Sequence, residues 1–347
     1  MIIGTAKESY RADAALLTTR PQQVWTAILL AVLTTLPFVL NDYWLYLTCL
    51  LTINVIAATG LNILTGFTGQ VSLGQAAFMA VGAYTVAWLE REAGTPFLLN
   101  LVLGGGVSAA LGIVVGIPSL RVKGLYLAIA TIAASFILHF VFVHWESVTG
   151  GNTGINVAPA RFFGVELTTY FGLYWVIMPV TVLMVLGAAN LFRTRIGRAF
   201  IAIRDRDISA EVLGIPLLKY KLMSFAIASF YAGVAGGLWA YFFRVVTPES
   251  FPFMASVFLL AAIIVGGMGT IIGGIVGAAF MTLTPELLRF VVEWLGPWVP
   301  NAATLLSPVR TIVFGALIIG FLVFEPQGLA EIIQRVRRFF RLWPFKT

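Results

Sequence analysis

The chain has 347 residues, of which 59% are apolar and 11% are charged, and its formal net charge is +7. Soluble domains are about 45–50% apolar and about 25% charged, so this composition has too little polar surface for a water-soluble globule. A large soluble catalytic domain is therefore excluded. The basic excess is typical of membrane chains that keep lysine and arginine on the cytoplasmic side, and we expect no nucleic-acid partner.

The N-terminal segment, residues 1–23, is charged and precedes the first apolar run. It lacks the short basic region, apolar core and cleavage site of a secretory signal peptide, so we expect it to stay on the protein. The single cysteine, Cys49, lies in an apolar run. One cysteine excludes an intramolecular disulfide and a cysteine metal cluster.

Long apolar runs follow, and each is a candidate membrane-spanning helix because a span takes about 20 apolar residues. The runs are 24–40, 44–65, 72–89, 97–117, 124–143, 171–192, 220–243, 254–266, 271–287 and 309–324. The eighth run is short and is separated from the ninth by Gly266-Gly267-Met268-Gly269, so these two could form one broken helix. We predict an all-α integral membrane protein, a polytopic helical bundle with nine or ten transmembrane helices over residues 24–325.

The distribution of positive charge predicts the orientation. With ten spans and a cytoplasmic N-terminus, 17 of the 22 lysines and arginines fall inside. Both termini are therefore predicted to be cytoplasmic, including the basic tail 326–347, whose arginines are expected to meet anionic lipid headgroups. Gly269, Gly273 and Gly277 recur every four residues and predict one closely packed helix face.

Residue patterns for catalysis are missing from the sequence. It contains no Walker A motif and no G-x-S-x-G elbow, and its two histidines, His139 and His144, have no carboxylates at a metal-ligand spacing. We predict no catalytic residue, no metal site and no cofactor bound by this chain. Most apolar runs also lack Asp, Glu, Lys and Arg, which disfavours proton coupling. Energy for uphill transport would then come from a separate ATPase at a cytoplasmic surface.

The segment 193–216 is the best candidate for that surface, and we predict a short cytoplasmic helix ended by Gly214 and Pro216. The apolar residues near one face are Ile201, Ile208, Val212 and Ile215. Charged residues on the other face are Arg204, Asp207 and Glu211. The alternative is an amphipathic loop helix that lies in the lipid headgroups.

Residues 60–78, GLNILTGFTGQVSLGQAAF, resemble the signature of branched-chain amino acid ABC transporter permeases of the LivM type. The segments 197–198, 202–205 and 210–215 resemble that family's coupling loop, the counterpart of the EAA motif that docks on the ATPase. Residues 119–126 and 149–155 are also similar to the family, so the resemblance covers about 45–325. Gln75 departs from the family pattern, in which histidine is more common.

The resemblance implies an inner-membrane permease subunit of an ATP-driven importer for branched-chain or related amino acids. Its implied partners are two ATP-binding subunits, which bind the ATP, a second homologous permease and an extracytoplasmic binding protein. Related permeases carry urea, short amides or aromatic acids, so these are alternative cargoes. Two other classes of protein, a stand-alone carrier and a structural subunit, are further alternatives. The residues implied to couple to the ATPase are Arg198, Arg204, Asp205, Asp207, Glu211 and Gly214.

Polar side chains that share a helix face are candidates for the translocation path, because such side chains are unfavourable toward lipid. They are Asn54, Asn62 and Thr65, then Thr131, Ser135 and His139, and finally Ser224 and Tyr231. The alternative is that each forms an interhelical hydrogen bond in a packed bundle. The glycine-rich stretch 65–75 predicts non-helical backbone, which could form a gate, an intersubunit contact or a tight cytoplasmic turn.

Three arginines on the predicted outer loops, Arg91, Arg161 and Arg244, are candidates for docking the binding protein, because charged rims orient docking partners. The alternative is that they are solvated loop charges.

Overall fold

The computed structural model describes residues 20–119, 124–162, 164–295, 312, 315–316, 319–320, 323 and 328–342. Most of the predicted N-terminal segment and most of the tenth apolar run, 309–324, lie outside the described residues, as do residues 120–123 of the family-like segment 119–126.

The apolar runs fold into helices, in which the backbone groups between the first and last turns are hydrogen-bonded within their own segment, as lipid requires. The main helices are α1 Arg20–Val39, α2 Asp42–Leu61, α3 Gln75–Ala93, α4 Phe97–Ser119, α5 Leu125–His144, α6 Tyr170–Arg193, α7 Arg195–Asp205, α8 Asp207–Val212, α9 Leu217–Phe243, α10 Phe253–Gly266, α11 Ile271–Leu295 and α12 Leu329–Leu342. A π-helical turn, Asn62–Phe67, extends α2.

Seven segments in the described part of the chain are long and apolar enough to cross a membrane. They are Asp42–Phe67, Phe97–Pro118, Leu125–His144, Tyr170–Arg193, Leu217–Phe243, Pro248–Gly266 and Ile271–Phe290. Helix α1 contributes a shorter apolar stretch, and α3 ends in the charged residues Glu90, Arg91 and Glu92. The predicted polytopic helical membrane protein is confirmed, whereas the total of nine or ten spans and the side of the termini stay predictions.

The eighth and ninth apolar runs form two separate helices, α10 and α11, so the alternative of one broken helix is wrong. The chain turns between them at Gly267 and Gly269, whose φ angles are 113° and 76°. The two helices then pack closely, because a Cβ at Gly277 would lie 1.9 Å from the carbonyl oxygen of Ala262. Since Gly269 lies before α11, the predicted three-glycine helix face is corrected to Gly273 and Gly277.

Helix α9 lies at the centre of the bundle and packs against α2, α3 and α4. A Cβ at Gly82 of α3 would lie 2.1 Å from the carbonyl oxygen of Gly233 of α9. The α3 and α9 backbones can approach this closely because Gly82 has no Cβ, and a Cβ at Gly233 would instead lie 2.7 Å from the Gly104 carbonyl oxygen of α4. The neighbouring residues Phe225, Ala235 and Leu238 of α9 are fully buried.

A polar cluster joins α3, α4 and α9 at the end of the bundle where α3 finishes. The Tyr241 hydroxyl donates to Oε2 of Glu90 at 2.7 Å, and Nδ2 of Asn100 donates to the same oxygen at 2.9 Å. Tyr241 and Asn100 are buried. The Glu90 carboxylate therefore accepts two hydrogen bonds from buried side chains, which also bond to each other, since Nδ2 of Asn100 donates to the Tyr241 hydroxyl oxygen at 2.8 Å.

Short strands lie at the same end of the bundle. Strand β1, Ile155–Asn156, pairs antiparallel with β4, Val245–Val246, and β2, Ala160–Phe162, pairs with β3, Val165–Leu167. The β1–β4 pairing fastens the segment between α5 and α6 to the end of α9. In the predicted orientation this end is extracytoplasmic.

Candidate functional site

The segment that was predicted to be one short cytoplasmic helix consists of two helices, so that prediction is corrected. Helix α7 begins at a capping residue, Thr194, whose Oγ1 accepts from the backbone N–H groups of Ile196 and Gly197. It ends where Arg206 takes an extended conformation, with φ −157° and ψ 103°. Helix α8 then begins at Asp207, and the chain turns at Gly214, whose φ is 84°.

The break also changes which residues are buried. The buried side chains of α7 are Ala199, Phe200 and Ile203, which share one helix face by their spacing. The predicted apolar face is not continuous, because the extended residue Arg206 separates Ile201 from Ile208 and Val212, which are 72% and 83% exposed. With Leu213, which is 80% exposed, they form an outward-facing apolar group on α8. We call Ile208, Val212 and Leu213 the α8 apolar patch.

The charged residues of the segment have mainly local partners. Nη2 of Arg204 lies 3.2 Å from Oδ1 of Asp205, and Oδ2 of Asp207 lies 3.7 Å from Nζ of Lys221 on α9. Glu211 is exposed. Two more predicted coupling residues complete the set. Nη1 of Arg198 donates to the Arg193 carbonyl oxygen at 3.4 Å, and Gly214 forms the turn after α8.

Arg204 joins this segment to the end of a second membrane-embedded helix, in addition to the pair of Asp207 with Lys221 of α9. Its Nη1 donates to the carbonyl oxygen of Gly66 at 3.1 Å, within the π-helical turn that ends α2. In the same turn, Oδ1 of Asn62 accepts from the Gly269 N–H at 2.9 Å, and Nδ2 of Asn62 donates to the Thr270 carbonyl oxygen at 2.7 Å. We call these five residues, Arg204, Gly66, Asn62, Gly269 and Thr270, the coupling junction.

The coupling junction is tightly packed, since a Cβ at Gly66 would lie 1.9 Å from Oδ1 of Asn62 and 2.4 Å from the Gly269 nitrogen. A π-helical turn is rare and is frequently found at functional sites. Here the turn carries both the Gly66 carbonyl oxygen, which accepts from Arg204, and the Asn62 side-chain amide, which bonds to Gly269 and Thr270. The junction therefore connects α7, the end of α2 and the α10–α11 turn.

The structure brings two of the predicted path residues to one interface, that of α2 with α11. Nδ2 of Asn54 donates to Oγ1 of Thr282 at 3.1 Å, and Asn62 bonds to the turn before α11. Thr65 is buried, and its Oγ1 donates to the Gln70 carbonyl oxygen at 3.1 Å. These contacts are helix-packing contacts within this chain.

Other predicted path residues lie at different interfaces. Oγ1 of Thr131 accepts from the Leu73 N–H at 2.9 Å, and Oγ of Ser224 accepts from Nε2 of Gln70 at 2.7 Å. The Tyr231 hydroxyl donates to a main-chain oxygen of α6 at 2.8 Å. The irregular stretch after the π-helical turn is thus fastened to both α5 and α9. This placement corresponds to the non-helical backbone predicted there.

Ser135 and His139 line a cavity of about 240 Å³ between α3, α5 and the beginning of α10. Ser256 of α10 lines the opposite side, and its Oγ accepts from the Ala76 N–H at 2.9 Å. Sequence reasoning did not select Ser256, because one serine in an apolar run forms no pattern. It also did not select Gln70, for which the surrounding glycines were the available signal.

The three arginines predicted to dock a binding protein all have partners within this chain. Arg91 lies 2.9 Å from Oε1 of Glu92, and Arg161 lies 2.9 Å from Oε1 of Glu166 across the β2–β3 pair. Arg244 ends α9 in a left-handed conformation, with φ 60°, and donates to the Thr168 carbonyl oxygen at 2.9 Å. In the described residues, no three His, Cys, Asp or Glu side chains form a group that could hold a metal ion.

The fold and the apolar spans define a multi-pass helical protein of the inner membrane. The family model described as "Branched-chain amino acid transport system / permease component" matches residues 43–322. The chain therefore belongs to this family of membrane permeases, and the resemblance found in residues 60–78 is confirmed.

Individual relatives agree with this assignment. The high-affinity branched-chain amino acid transport system permease protein LivM of Salmonella typhimurium is 32% identical over 332 residues, which cover 89% of this chain and 75% of the relative. LivM of Escherichia coli is 31% identical over the same length. The probable permease protein LivH of Methanocaldococcus jannaschii is 27% identical over 68% of this chain and 77% of the relative. No solved structure matches the chain significantly.

Proposed function

We propose that this chain is a permease subunit of an ATP-driven importer for branched-chain amino acids, and that separate ATPase subunits drive it through α7 and α8. The coupling junction carries this proposal. It links an exposed segment through Arg204 to the ends of two membrane-spanning elements. A displacement of α7 would thereby act on α2 and on the α10–α11 turn together. The family membership and the names of the relatives support the cargo.

The α8 apolar patch is the proposed docking surface for an ATPase subunit. Its three side chains are more than 70% exposed. An isolated six-residue helix is not stable by itself, so α8 must be held by its neighbours. The ion pair of Asp207 with Lys221 helps to hold α8 in place, together with the hydrogen bond from the Ile215 N–H to the Ala210 carbonyl oxygen. The apolar patch is thereby held outward, with the charge of Glu211 beside it.

The remaining partners follow from the same proposal. A second, homologous permease would complete the translocation path, and an extracytoplasmic binding protein would deliver the amino acid to the end that carries the β1–β4 pair. Arg91, Arg161 and Arg244 are proposed to contribute to that docking. The ATP would be bound by the partner subunits, and this chain would need no cofactor of its own. Helix α12, in the basic tail, is proposed to lie at the lipid headgroups.

Reconstitution tests the proposal. Proteoliposomes that contain this chain, the second permease and the two ATPases should import leucine when the binding protein and ATP are supplied, and the chain alone should import nothing. Arg204→Glu and Glu211→Arg should leave membrane insertion intact and separate ATP hydrolysis from uptake. Leucine uptake by the chain alone without ATP would refute the proposal in favour of a stand-alone carrier. Normal coupled uptake in both variants would refute the role of α7 and α8.

A further inference from the structure

We infer that the cavity between α3, α5 and α10 is a binding site for the neutral amino acid in transit; this inference rests on the proposed function. The volume, about 240 Å³, is below that of typical drug-sized pockets and suits a small ligand. The exposed side chains of Phe136 and His139 lie at its mouth, and the buried Ser256 and Ala80 lie deeper. The cavity is therefore open toward the exposed face of α5.

The walls of the cavity match an aliphatic side chain. Phenylalanines and prolines supply much of the lining, and Phe136 stacks on Phe253 with ring centroids 6.2 Å apart. Small alanines of α3, including Ala80, leave the space open. Among the described residues, those that line the cavity include no Asp, Glu, Lys or Arg. A charged ligand side chain against these apolar walls would lose its hydration without gaining a hydrogen-bonding partner, which is strongly unfavourable.

The polar groups of the cavity match the amino and carboxylate groups that every amino acid carries. Oγ of Ser256 already accepts from the Ala76 N–H, so its O–H remains available as a donor to a carboxylate. Oγ of Ser135 already donates to the Thr131 carbonyl oxygen, so its lone pairs remain available to an ammonium group. The His139 imidazole makes no hydrogen bond to the rest of the described chain and can serve either group. The site thus offers a donor and an acceptor beside an apolar wall.

Protection of an introduced cysteine tests this site. The natural Cys49 is 1% exposed and is replaced by alanine in the background protein. His139→Cys places a thiol at the mouth of the cavity, and Phe140→Cys places a matched control thiol on the same helix outside the cavity. In the complete importer, with ATP and leucine-loaded binding protein, leucine should slow maleimide labelling of His139→Cys severalfold and leave Phe140→Cys unchanged.

A second pair of variants tests the wall. Phe136 and Phe140 are 60% and 61% exposed, and only Phe136 lines the cavity. Phe136→Ala should therefore return the labelling of His139→Cys toward the unprotected rate, because leucine no longer fills the space, whereas Phe140→Ala should preserve the protection. Protection that survives Phe136→Ala would contradict the proposed contact and overturn the site.

Leucine uptake by the importer without cysteine variants is measured first, because this result distinguishes a failure of the proposed function from a failure of the cavity inference. If this importer takes up no leucine, the proposed function fails. If uptake is normal and leucine protects neither cysteine, the cargo passes elsewhere and only the cavity inference is overturned. Equal protection of both cysteines would report a conformational change of α5, and it would also overturn the inference. If a lipid acyl chain or a side chain of the second permease occupies the cavity instead, leucine will not slow the labelling, and this result also overturns the inference.

Discussion

Replacing Arg204 by alanine should weaken the link between ATP hydrolysis and uptake. The guanidinium of Arg204 donates to the Gly66 carbonyl oxygen at 3.1 Å and is the polar contact between α7 and the π-helical turn. Arg204→Ala removes this hydrogen bond and leaves α7 itself in place, because the buried face of α7 is formed by Ala199, Phe200 and Ile203. The change therefore acts on the coupling junction and spares the packing below it.

The size of the effect follows from the exposure of the side chain. A hydrogen bond from a charged group contributes about 1.5–3 kcal/mol to stability. The Arg204 side chain is 38% exposed, so solvent screening reduces the value to about 1 kcal/mol. The pair with Asp205 adds little, since the Asp205 side chain is 63% exposed. A change of about 1 kcal/mol shifts a two-state equilibrium about fivefold.

The assay measures leucine imported per ATP hydrolysed in proteoliposomes that contain the complete importer. Arg204→Ala should lower this ratio about fivefold, as expected for the loss of about 1 kcal/mol. Arg206→Ala is the matched control, because Arg206 carries the same charge and lies in the exposed link after α7, outside the coupling junction. If the two variants lower the ratio equally, the effect comes from lost positive charge, and the argument for the hydrogen bond is refuted.

Further predictions concern packing, the buried polar cluster and docking. Gly236→Ala would place a Cβ 1.8 Å from a carbonyl oxygen of α3, so it should destabilise the protein by about 1–3 kcal/mol and lower the unfolding temperature in detergent. Gly106→Ala is the control, because a Cβ there meets open space and should leave the unfolding temperature unchanged. Equal effects of the two variants would contradict the packing argument. Tyr241→Phe removes a hydroxyl that donates to Glu90 and should cost about 1–3 kcal/mol in the same measurement, so an unchanged midpoint would show that the cluster is dispensable. Val212→Asp should reduce recovery of the ATPase subunits in affinity purification at least about tenfold, because burial of one valine contributes about 1.5–3 kcal/mol; full recovery would refute docking at α8.

The positions of the spans could be read from the sequence with small errors. The run 97–117 became α4, Phe97–Ser119, and the run 220–243 became α9, Leu217–Phe243. The reason is physical, since lipid offers no hydrogen-bonding partner and an apolar segment must satisfy its backbone as a helix. Length and composition alone therefore identify such segments.

The partners of the polar residues could not be read in the same way. Asn54 and Asn62 were correctly placed on one face of α2, but a polar face can line a path or fasten a neighbouring helix. The deciding partners are Thr270 and Thr282, more than 200 residues away in sequence. Helical periodicity gives the direction of a side chain and contains no information about what lies opposite. The only local signal was the small residue Gly66, which permits a close approach.

The segment 193–216 shows why an amphipathic pattern misleads where a helix is interrupted. Ile201, Ile208, Val212 and Ile215 were predicted to lie near one face of a single helix, because their spacing fits the helical period. The extended residue Arg206 interrupts the period, and the side chains of Ile208 and Val212 point outward from α8. An apolar patch on a segment outside the spans is covered either by a partner protein or by lipid headgroups. These two cases differ in one consequence: a charge at Val212 releases the ATPase only if the ATPase covers the patch, whereas headgroup contact would leave the recovered complex unchanged.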